Sequence, residues 1–307
     1  MGRGRGVIDQ AQQLRVLAAT AKNQRPAPSE NARKMRGPEA GAPAKPAKSI
    51  AVVSGKGGVG KTNLSIMLGI ALSALGKKTL LFDADLGLAN AHILLGLAPR
   101  KNLSHVAAGE CALVDIVQEG PGGLRLIPGA SGQEFMANLD PLRMAMLRHA
   151  LVELETGHDY IIIDTAAGIS AMTTQFAAPA DLGVCVLSPE PASLADAYSM
   201  VKVLFEHGLK RVDVAVNMAS DDDDGKSAFD RLQALVVKFL DKRVRMLGIL
   251  PYDRDVPKLM RRQKLLLLEK PGAGLSLRIS AMARTLLGMP PSAAKRPFFA
   301  RLFGKKE

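Results

Sequence analysis

The sequence predicts an α/β protein with a doubly wound, mostly parallel sheet and helices on both faces. Short apolar segments alternate with longer amphipathic segments along most of the 307 residues. Segments such as Tyr160-Ile-Ile-Ile-Asp164 and Gly183-Val-Cys-Val-Leu187 are apolar almost throughout, which is typical of strands covered on both faces. A glycine-rich segment separates the first strand from the first helix. Ligands of such a sheet bind at the carboxyl ends of its strands.

The positions of the elements follow from the spacing of apolar residues. The strands are expected at residues 49–54, 78–83, 124–128, 160–164, 183–188, 212–217 and 245–250. The amphipathic helices are expected at residues 63–75, 139–156, 190–207 and 226–241. Together they predict one domain over residues 49–290, flanked by two tails.

The two tails differ from the domain in composition. Residues 22–48 are rich in Pro, Ala, Lys and Arg without periodicity, which predicts a disordered linker. Residues 1–21 contain an apolar stripe at helical spacing, which predicts a short helix that gains order by docking on a partner or on its own domain. Residues 291–307 are basic and contain three of the nine phenylalanines.

The net charge of +12 is concentrated in the tails. Residues 1–48 carry ten Lys or Arg against three acidic residues, a charge of +7, and residues 295–307 carry +4. The remaining residues are nearly neutral, at +1. A protein that binds DNA along the surface of its folded domain should carry its excess positive charge on that domain. Nucleic acid is therefore not expected as a partner.

The cysteines and the lack of long apolar runs predict a cytoplasmic protein. Cys111 and Cys185 have no metal-ligand spacing, which fits a reducing compartment and argues against zinc or an iron–sulfur cluster. The N-terminus lacks the apolar core of a secretion signal. No run approaches the ~18 apolar residues of a spanning helix.

The glycine-rich segment SGKGGVGKT, residues 54–62, predicts a nucleotide-binding site. It fits the pattern G-x-x-x-x-G-K-[ST], in which glycines let successive backbone N–H groups face one phosphate and the next helix adds its dipole. Lys61 would reach the β- and γ-phosphates, and the Thr62 hydroxyl would ligate Mg²⁺. The residues expected to contact the nucleotide are Gly55, Lys56, Gly57, Gly58, Val59, Gly60, Lys61 and Thr62.

Carboxylates follow two of the predicted strands. Asp83 and Asp85 end the second strand, and Asp164 ends a later one. Asp83 and Asp164 are expected to hold Mg²⁺, often through water, and Asp85 could orient the attacking water. An Asp at a strand end also serves as a helix cap, but two such ends with a phosphate loop favour the functional interpretation.

The second lysine of the loop, Lys56, has no task in the ordinary pattern. The segment GKGGVGKT resembles the deviant Walker A loop of the MinD/ParA class of ATPases, in which this lysine reaches across a face-to-face dimer to the partner's nucleotide. The resemblance implies that ATP and Mg²⁺ are bound, that a homodimer forms in the ATP state, and that Lys56, Lys61 and Asp85 are catalytic. A cation supplied in trans stabilises transition-state charge as an arginine finger does.

Longer segments narrow the resemblance to the flagellar-number regulators FlhG and FleN. The segments are DADLGLAN at 83–90, LLGLAPRKNLSHVAAGE at 94–110, DIVQEGPGGLRLIPGASG at 115–132, DTAAGIS at 164–170 and SPEPASLADAYSMVK at 188–202. The resemblance covers about residues 49–290. It implies control of flagellar number or placement, with flagellar basal-body (C-ring) components as partners.

The same resemblance implies contacts at both ends of the chain. The segment from Asp9 to Arg15 resembles the DQAxxLR element that engages an FlhF-like signal-recognition-type GTPase. The expected partner-binding residues are Asp9, Gln10, Leu14 and Arg15. Asn217 would recognise adenine, and Pro251 and Asp253 would lie near the base.

Three positions depart from the family pattern. His92 stands where the family usually has Asp, and no role is assigned to it. Met67 replaces a common Asn in the first helix, and residues 264–268 are more apolar than expected.

The last residues predict a membrane-binding segment. If Pro297 begins a helix, the apolar side chains share one face, rimmed by cations. These are Phe298, Phe299, Leu302 and Phe303. Such a helix suits anionic lipids of the inner membrane, so reversible association with the cytoplasmic membrane is expected. The alternatives are a helix packed on the domain and a disordered end.

The sequence therefore predicts a switch in which ATP drives dimerisation, the dimer holds the membrane, and hydrolysis releases both. The alternative is a ParA-like partition or positioning ATPase that acts on nonspecific DNA. The near-neutral domain and the Phe-rich end count against it. A metal-cluster carrier of the same fold is disfavoured because no Cys-x-x-Cys pair occurs, and a GTPase because no Asn-Lys-x-Asp motif occurs.

Overall fold

The computed structural model describes residues 46–85, 89–129, 141–288 and 297–303. In these residues eight strands form one sheet in the order β3-β4-β2-β5-β1-β6-β7-β8. The strands are β1 (Lys48–Val53), β2 (Thr79–Ala84), β3 (Gln118–Glu119), β4 (Arg125–Ile127), β5 (Tyr160–Thr165), β6 (Leu182–Leu187), β7 (Val212–Ala219) and β8 (Arg245–Pro251). β3 is antiparallel to β4, and all other neighbours in this sheet are parallel.

Helices connect the strands. They are α1 (Lys61–Ala74), α2 (Ala91–Leu94), α3 (Leu103–Ala107), α4 (Leu113–Ile116), α5 (Pro141–Thr156), α6 (Ala171–Ala177), α7 (Pro191–Glu206), α8 (Asp222–Leu240), α9 (Asp255–Met260), α10 (Leu266–Glu269), α11 (Gly274–Leu287) and α12 (Phe298–Leu302), with a 3₁₀ turn at Pro121–Gly123. Among the helices of the described ranges, none combines the length and the apolar character needed to cross a bilayer.

Both faces of the sheet are covered. Neighbouring residues of a strand point to opposite faces. In β8, Gly248 lies directly under Met282 of α11, whereas Ile249 lies directly under Gly225 of α8. The two helices therefore lie on opposite faces. The predicted doubly wound, mostly parallel fold is confirmed.

The predicted strands are confirmed to within two residues at each end, and the short edge strand β3 was missed. Helix α8 begins at Asp222 rather than at residue 226. The cause is Asp221, whose carboxylate accepts the N–H of Asp224 at 2.8 Å. Three further Asp residues in the first turn face the positive end of the helix dipole.

Parts of both tails lie outside the described residues. These parts are the expected helix of residues 1–21, residues 22–45 of the expected linker, and residues 291–296 and 304–307. The linker prediction was too long at its end, because Lys48 already pairs with Tyr160 in the sheet.

Substitution of Ile162 by Ala tests the position of the core. Ile162 is fully buried in β5, which lies between β2 and β1, and it belongs to the apolar cluster under α1. We expect the free energy of unfolding in urea to fall by about 2–5 kcal/mol, since a buried cavity remains. Leu277→Ala, a control in which the side chain is 58% exposed, should change it by less than about 0.5 kcal/mol. Equal losses in the two variants would contradict this packing.

Candidate nucleotide-binding site

The loop between β1 and α1 presents an open backbone. Lys56, Gly57 and Gly58 are exposed, and Gly58 and Gly60 adopt left-handed conformations with φ of 82° and 84°. A Cβ on Gly55 would lie 2.2 Å from the backbone of Asp196 in α7, so this approach requires glycine. No side chain caps the N-terminus of α1. The loop therefore offers backbone N–H groups and a helix dipole to an anion.

Lys61 points into the molecule rather than into solvent. Its ammonium lies 2.9 Å from Oδ1 of Asp164, and the two side chains are only 7% and 1% exposed. The hydroxyl of Ser65, one helical turn on, donates to the same carboxylate oxygen at 2.9 Å. The other oxygen of Asp164, Oδ2, is buried and has no hydrogen-bond partner among the described residues. That unsatisfied oxygen is a ready acceptor for a ligand.

Asp83 lies beside Asp164, since the two residues are directly paired in the register of β2 and β5. Burial, followed by the repulsion from Asp164, raises the pKa of Asp83 to about 7. The N–H groups of Ala91 and Asp85 donate to its two oxygens, each at 3.2 Å, and oppose the shift. A divalent cation between the carboxylates would relieve their repulsion.

The residues present fit Mg²⁺ together with a nucleotide. Mg²⁺ binds oxygen and is typically held by one or two carboxylates plus substrate phosphates. Asp83, Asp164 and the first turn of α1, which carries Thr62, meet at this end of the sheet. No group of three or more His, Cys, Asp or Glu suited to a metal occurs in the described part of the chain. A Mg²⁺ ion held here by the two carboxylates would take its remaining ligands from the Thr62 hydroxyl, water and phosphate oxygens. Asp85 follows β2 and is half-buried at the same edge.

Lys56 behaves differently from Lys61. Its ammonium lies 3.0 Å from Oε2 of Glu190, just before α7, and the two side chains are 44% and 65% exposed. A surface pair of this kind contributes about 0–1 kcal/mol. Lys56 is therefore easily released to another anion.

The residues expected near the base lie at one edge of the site. The amide nitrogen of Asn217 donates to the carbonyl of Val59 in the loop at 2.8 Å. Pro251 ends β8 and pairs with Ala219 of β7. The Asp253 carboxylate accepts the N–H of Asp255 at 2.8 Å, at the start of α9. The approach of Asn217 to the loop agrees with a nucleotide site, while contact with a base stays a prediction for all three residues.

The C-terminal segment, residues 297–303, is packed on the domain. Phe298 and Phe299 are fully buried, and Leu302 is nearly so. In this conformation the shared apolar face, with Phe303 half-buried, therefore packs on the domain, which is one of the alternatives that the sequence left open. The apolar side of α12 contacts the domain here. Membrane attachment stays a prediction that requires the segment to leave the domain.

Polar contacts fix this segment as well as apolar ones. The Glu155 carboxylate accepts the backbone N–H groups of both Phe298 and Phe299, at the start of α12. Arg301 donates to Asp181 at 3.1 Å. The ring of Phe299 packs edge-on against Phe82, with centroids 5.5 Å apart. Burial raises the pKa of Glu155, and the two N–H groups and Arg301 oppose that shift.

The remaining predictions concern the partner-binding residues and the positions that depart from the family pattern. The partner-binding residues Asp9, Gln10, Leu14 and Arg15 lie outside the described residues. The apolar stretch at 264–268 is explained by the core, in which Leu265, Leu266 and Leu267 are buried, as is Met67. His92 is half-buried in α2, and its Nδ1 has no hydrogen-bond partner in the described part of the chain.

Comparison with models of protein families identifies the class of domain that carries this site. Residues 50–267 match the model of the CobQ/CobB/MinD/ParA nucleotide-binding domain. The chain belongs to this family. The predicted MinD/ParA membership is thereby confirmed, and the loop described above lies within the matched residues.

Curated relatives narrow the position within the MinD/ParA family. The chain is 40% identical over 252 residues to the antiactivator FleN of Pseudomonas aeruginosa, covering 82% of this chain and 90% of FleN. It is 37% identical over 188 residues to the flagellum site-determining protein YlxH of Helicobacter pylori, covering 60% of this chain and 63% of YlxH. The predicted likeness to the FleN type is confirmed.

Solved MinD structures share the fold. The MinD chain of the MinC–MinD complex from Aquifex aeolicus superposes with a TM-score of 0.65 at 27% identity, covering 82% of this chain and 100% of that one. The MinD of Pyrococcus horikoshii, solved with Mg-ADP, superposes with a TM-score of 0.63 at 25% identity, covering 78% of this chain and 96% of that one.

Sequence reasoning missed three residues that shape the site and its surroundings. Ser65 carried a detectable signal, because it lies one helical turn after Lys61 and so faces the same strand end. Glu190 and Glu155 carried none, since each meets its partner only through the tertiary fold.

The raised pKa of Asp83 predicts how stability depends on pH. The folded protein holds this proton up to about pH 7, whereas the unfolded chain releases it near 3.8, so raising the pH destabilises the fold. We expect the unfolding free energy of Asp83→Asn, relative to wild type, to rise by roughly 2–3 kcal/mol between pH 5 and pH 8, in the absence of Mg²⁺ and nucleotide. Urea unfolding of the variant and of wild type at both pH values measures this difference in unfolding free energy. Asp253→Asn is the control, and a difference independent of pH would refute the shift.

Proposed function

We propose that the chain is an ATPase switch that dimerises with ATP bound, holds the cytoplasmic membrane as a dimer, and is released by hydrolysis. In this role it regulates flagellar number or placement. The observation that carries the proposal is the contrast between the two loop lysines. Lys61 is buried against Asp164, beside its own phosphate site, whereas Lys56 is exposed and weakly held by Glu190.

The residues of the site then take separate roles. Lys61 exchanges Asp164 for the β- and γ-phosphate oxygens, which leaves Asp164 with the Ser65 hydroxyl on Oδ1 and with Oδ2 free. Thr62, Asp83 and Asp164 hold Mg²⁺, whose charge neutralises the phosphate oxygens. Asp85 orients the attacking water.

Lys56 serves the second copy of the chain. A cation that enters from a partner stabilises the charge that develops during phosphoryl transfer and links turnover to dimerisation. The exposed position of Lys56 supports this role, since the side chain has only a surface ion pair to break.

The flagellar assignment draws on the relatives. FleN is an antiactivator and YlxH a flagellum site-determining protein, and the chain spans 90% of FleN. The proposed partners are an FlhF-like GTPase, bound through Asp9, Gln10, Leu14 and Arg15, and flagellar C-ring components. A MinD solved together with MinC supports the idea that members of the family bind other proteins.

Membrane association requires the C-terminal segment to leave the domain. Burial of each Phe or Leu stabilises the docked segment by ~1.5–3 kcal/mol at most. For a single segment, docking on the domain therefore competes well with binding to a lipid surface. Two segments on one dimer gain from effective concentration, which strengthens attachment ~10²–10⁴-fold. The ATP-bound dimer is therefore the membrane-binding form.

Substitution of Lys56 by Ala separates the two lysines. We expect nucleotide binding to change less than threefold, while the ATP-dependent dimer seen by analytical ultracentrifugation is lost and turnover at high protein concentration falls about tenfold or more. Lys202→Ala is a matched control, because Lys202 is 49% exposed and forms a surface pair with Glu206. A Lys56→Ala variant that still dimerises with ATP and keeps its turnover would refute the trans role.

Co-sedimentation with vesicles containing anionic lipid tests the membrane step. Wild type should bind with ATP and not with ADP, and Phe298→Ala/Phe299→Ala should not bind. Glu155→Ala removes the carboxylate that holds α12, so it should bind in ADP also. Glu153→Ala, an exposed change on the same helix, is the control.

Two results would count against this membrane cycle. Binding of wild type that does not depend on ATP, or no binding at all, would favour the ParA-like alternative. That alternative would then have to show a steep loss of DNA affinity with added salt.

A further inference from the structure

The strand that carries Asn217 is irregular at that residue. Asn217 pairs with Leu250 of β8, and the register then shifts so that Ala219 pairs with Pro251. Met218 lies between them in the left-handed region, with φ of 59°, which is unfavourable for a residue with a side chain. Bulges of this kind occur next to functional sites, where they re-aim a side chain. The strain at Met218 therefore accompanies a specific placement of Asn217.

The Asn217 side chain is aimed at the phosphate loop. Its amide nitrogen donates to the carbonyl of Val59 at 2.8 Å, between residues 158 positions apart. Val59 is buried, so its carbonyl has little access to water. A Cβ on Gly60 would lie 2.5 Å from the same nitrogen. Gly60 is thus needed for the approach of Asn217 as well as for its left-handed φ.

We propose that Asn217 is a positioning residue for the phosphates: it holds the Val59 carbonyl and so fixes the loop in its anion-binding shape. One N–H of an amide serves this contact, which leaves the second N–H and the carbonyl oxygen for a base. One side chain then links base and phosphates. This inference rests on the proposed ATP site and adds a task to the adenine contact.

The proposal differs from base recognition in a measurable way. If Asn217 only contacts the base, its loss weakens the binding of ATP and leaves the binding of a base-free ligand unchanged. If it also holds the loop, its loss weakens both ligands. Inorganic tripolyphosphate with Mg²⁺ is such a ligand, because it carries the phosphates without base or ribose.

Calorimetric titration of the full chain tests this difference. We expect Asn217→Ala to weaken the binding of Mg²⁺-tripolyphosphate about tenfold, because the substitution leaves the buried Val59 carbonyl without its hydrogen bond. The binding of ATP should weaken at least as much. Met218→Ala is the control, since it shortens the neighbouring side chain and leaves the Asn217 amide in place; it should change tripolyphosphate binding less than threefold. Unchanged tripolyphosphate binding in Asn217→Ala overturns the proposal, whatever happens to ATP.

Hydrogen exchange gives a second readout without any ligand. Backbone amides at residues 55–62 of the nucleotide-free protein should exchange about fivefold faster in Asn217→Ala and in Asn217→Asp. The Asp variant keeps the shape of the side chain but places an oxygen against the Val59 carbonyl, so a role in packing alone predicts wild-type exchange. Wild-type exchange in both variants overturns the proposal. Failure of wild type to bind ATP would refute the proposed function instead, and this readout would still decide the role of Asn217.

Discussion

The site depends on one electrostatic constraint: two buried carboxylates end adjacent parallel strands in direct register. Asp83 and Asp164 cannot both be ionised there without compensation. Without a ligand the protein uses two solutions. The Lys61 ammonium lies against Asp164, and a proton stays on Asp83 up to near-neutral pH. A bound cation with its nucleotide would replace both, so the site is balanced for exchange rather than for permanent pairing.

The phosphate loop owes its shape to the whole sheet. Gly55 lies against α7, the Val59 carbonyl is held by Asn217 from β7, and Lys61 is held by Asp164 from β5. Asn217 and Asp164 lie near the carboxyl ends of separate parallel strands, and α7 follows a third, so a doubly wound fold brings these supports to one edge. A glycine-rich loop alone would be free to adopt many shapes. The fold selects one of them.

The sequence predicts those features that are local or periodic. The strands, the loop and the strand-end carboxylates follow from apolar runs and from glycine spacing, because sheet topology then brings Asp83 and Asp164 together. The ion pair of Lys56 with Glu190 joins residues from separate segments, so no local pattern encodes it. The C-terminal segment shows the same limit more sharply. Its apolar face is visible in the sequence, but lipid and the domain are equally good partners until the fold provides a surface for it.

The magnitudes of the two releasable contacts order the proposed cycle. The Lys56–Glu190 pair is exposed and contributes about 0–1 kcal/mol, so a partner's phosphate displaces Glu190 easily. The C-terminal segment buries Phe298, Phe299 and Leu302 and hydrogen-bonds to Glu155, so its release costs several times more. In the proposed cycle a monomer therefore pairs with a second copy before it binds a membrane. Dimerisation would then precede attachment, because the weaker contact is the one that the proposed trans role of Lys56 breaks.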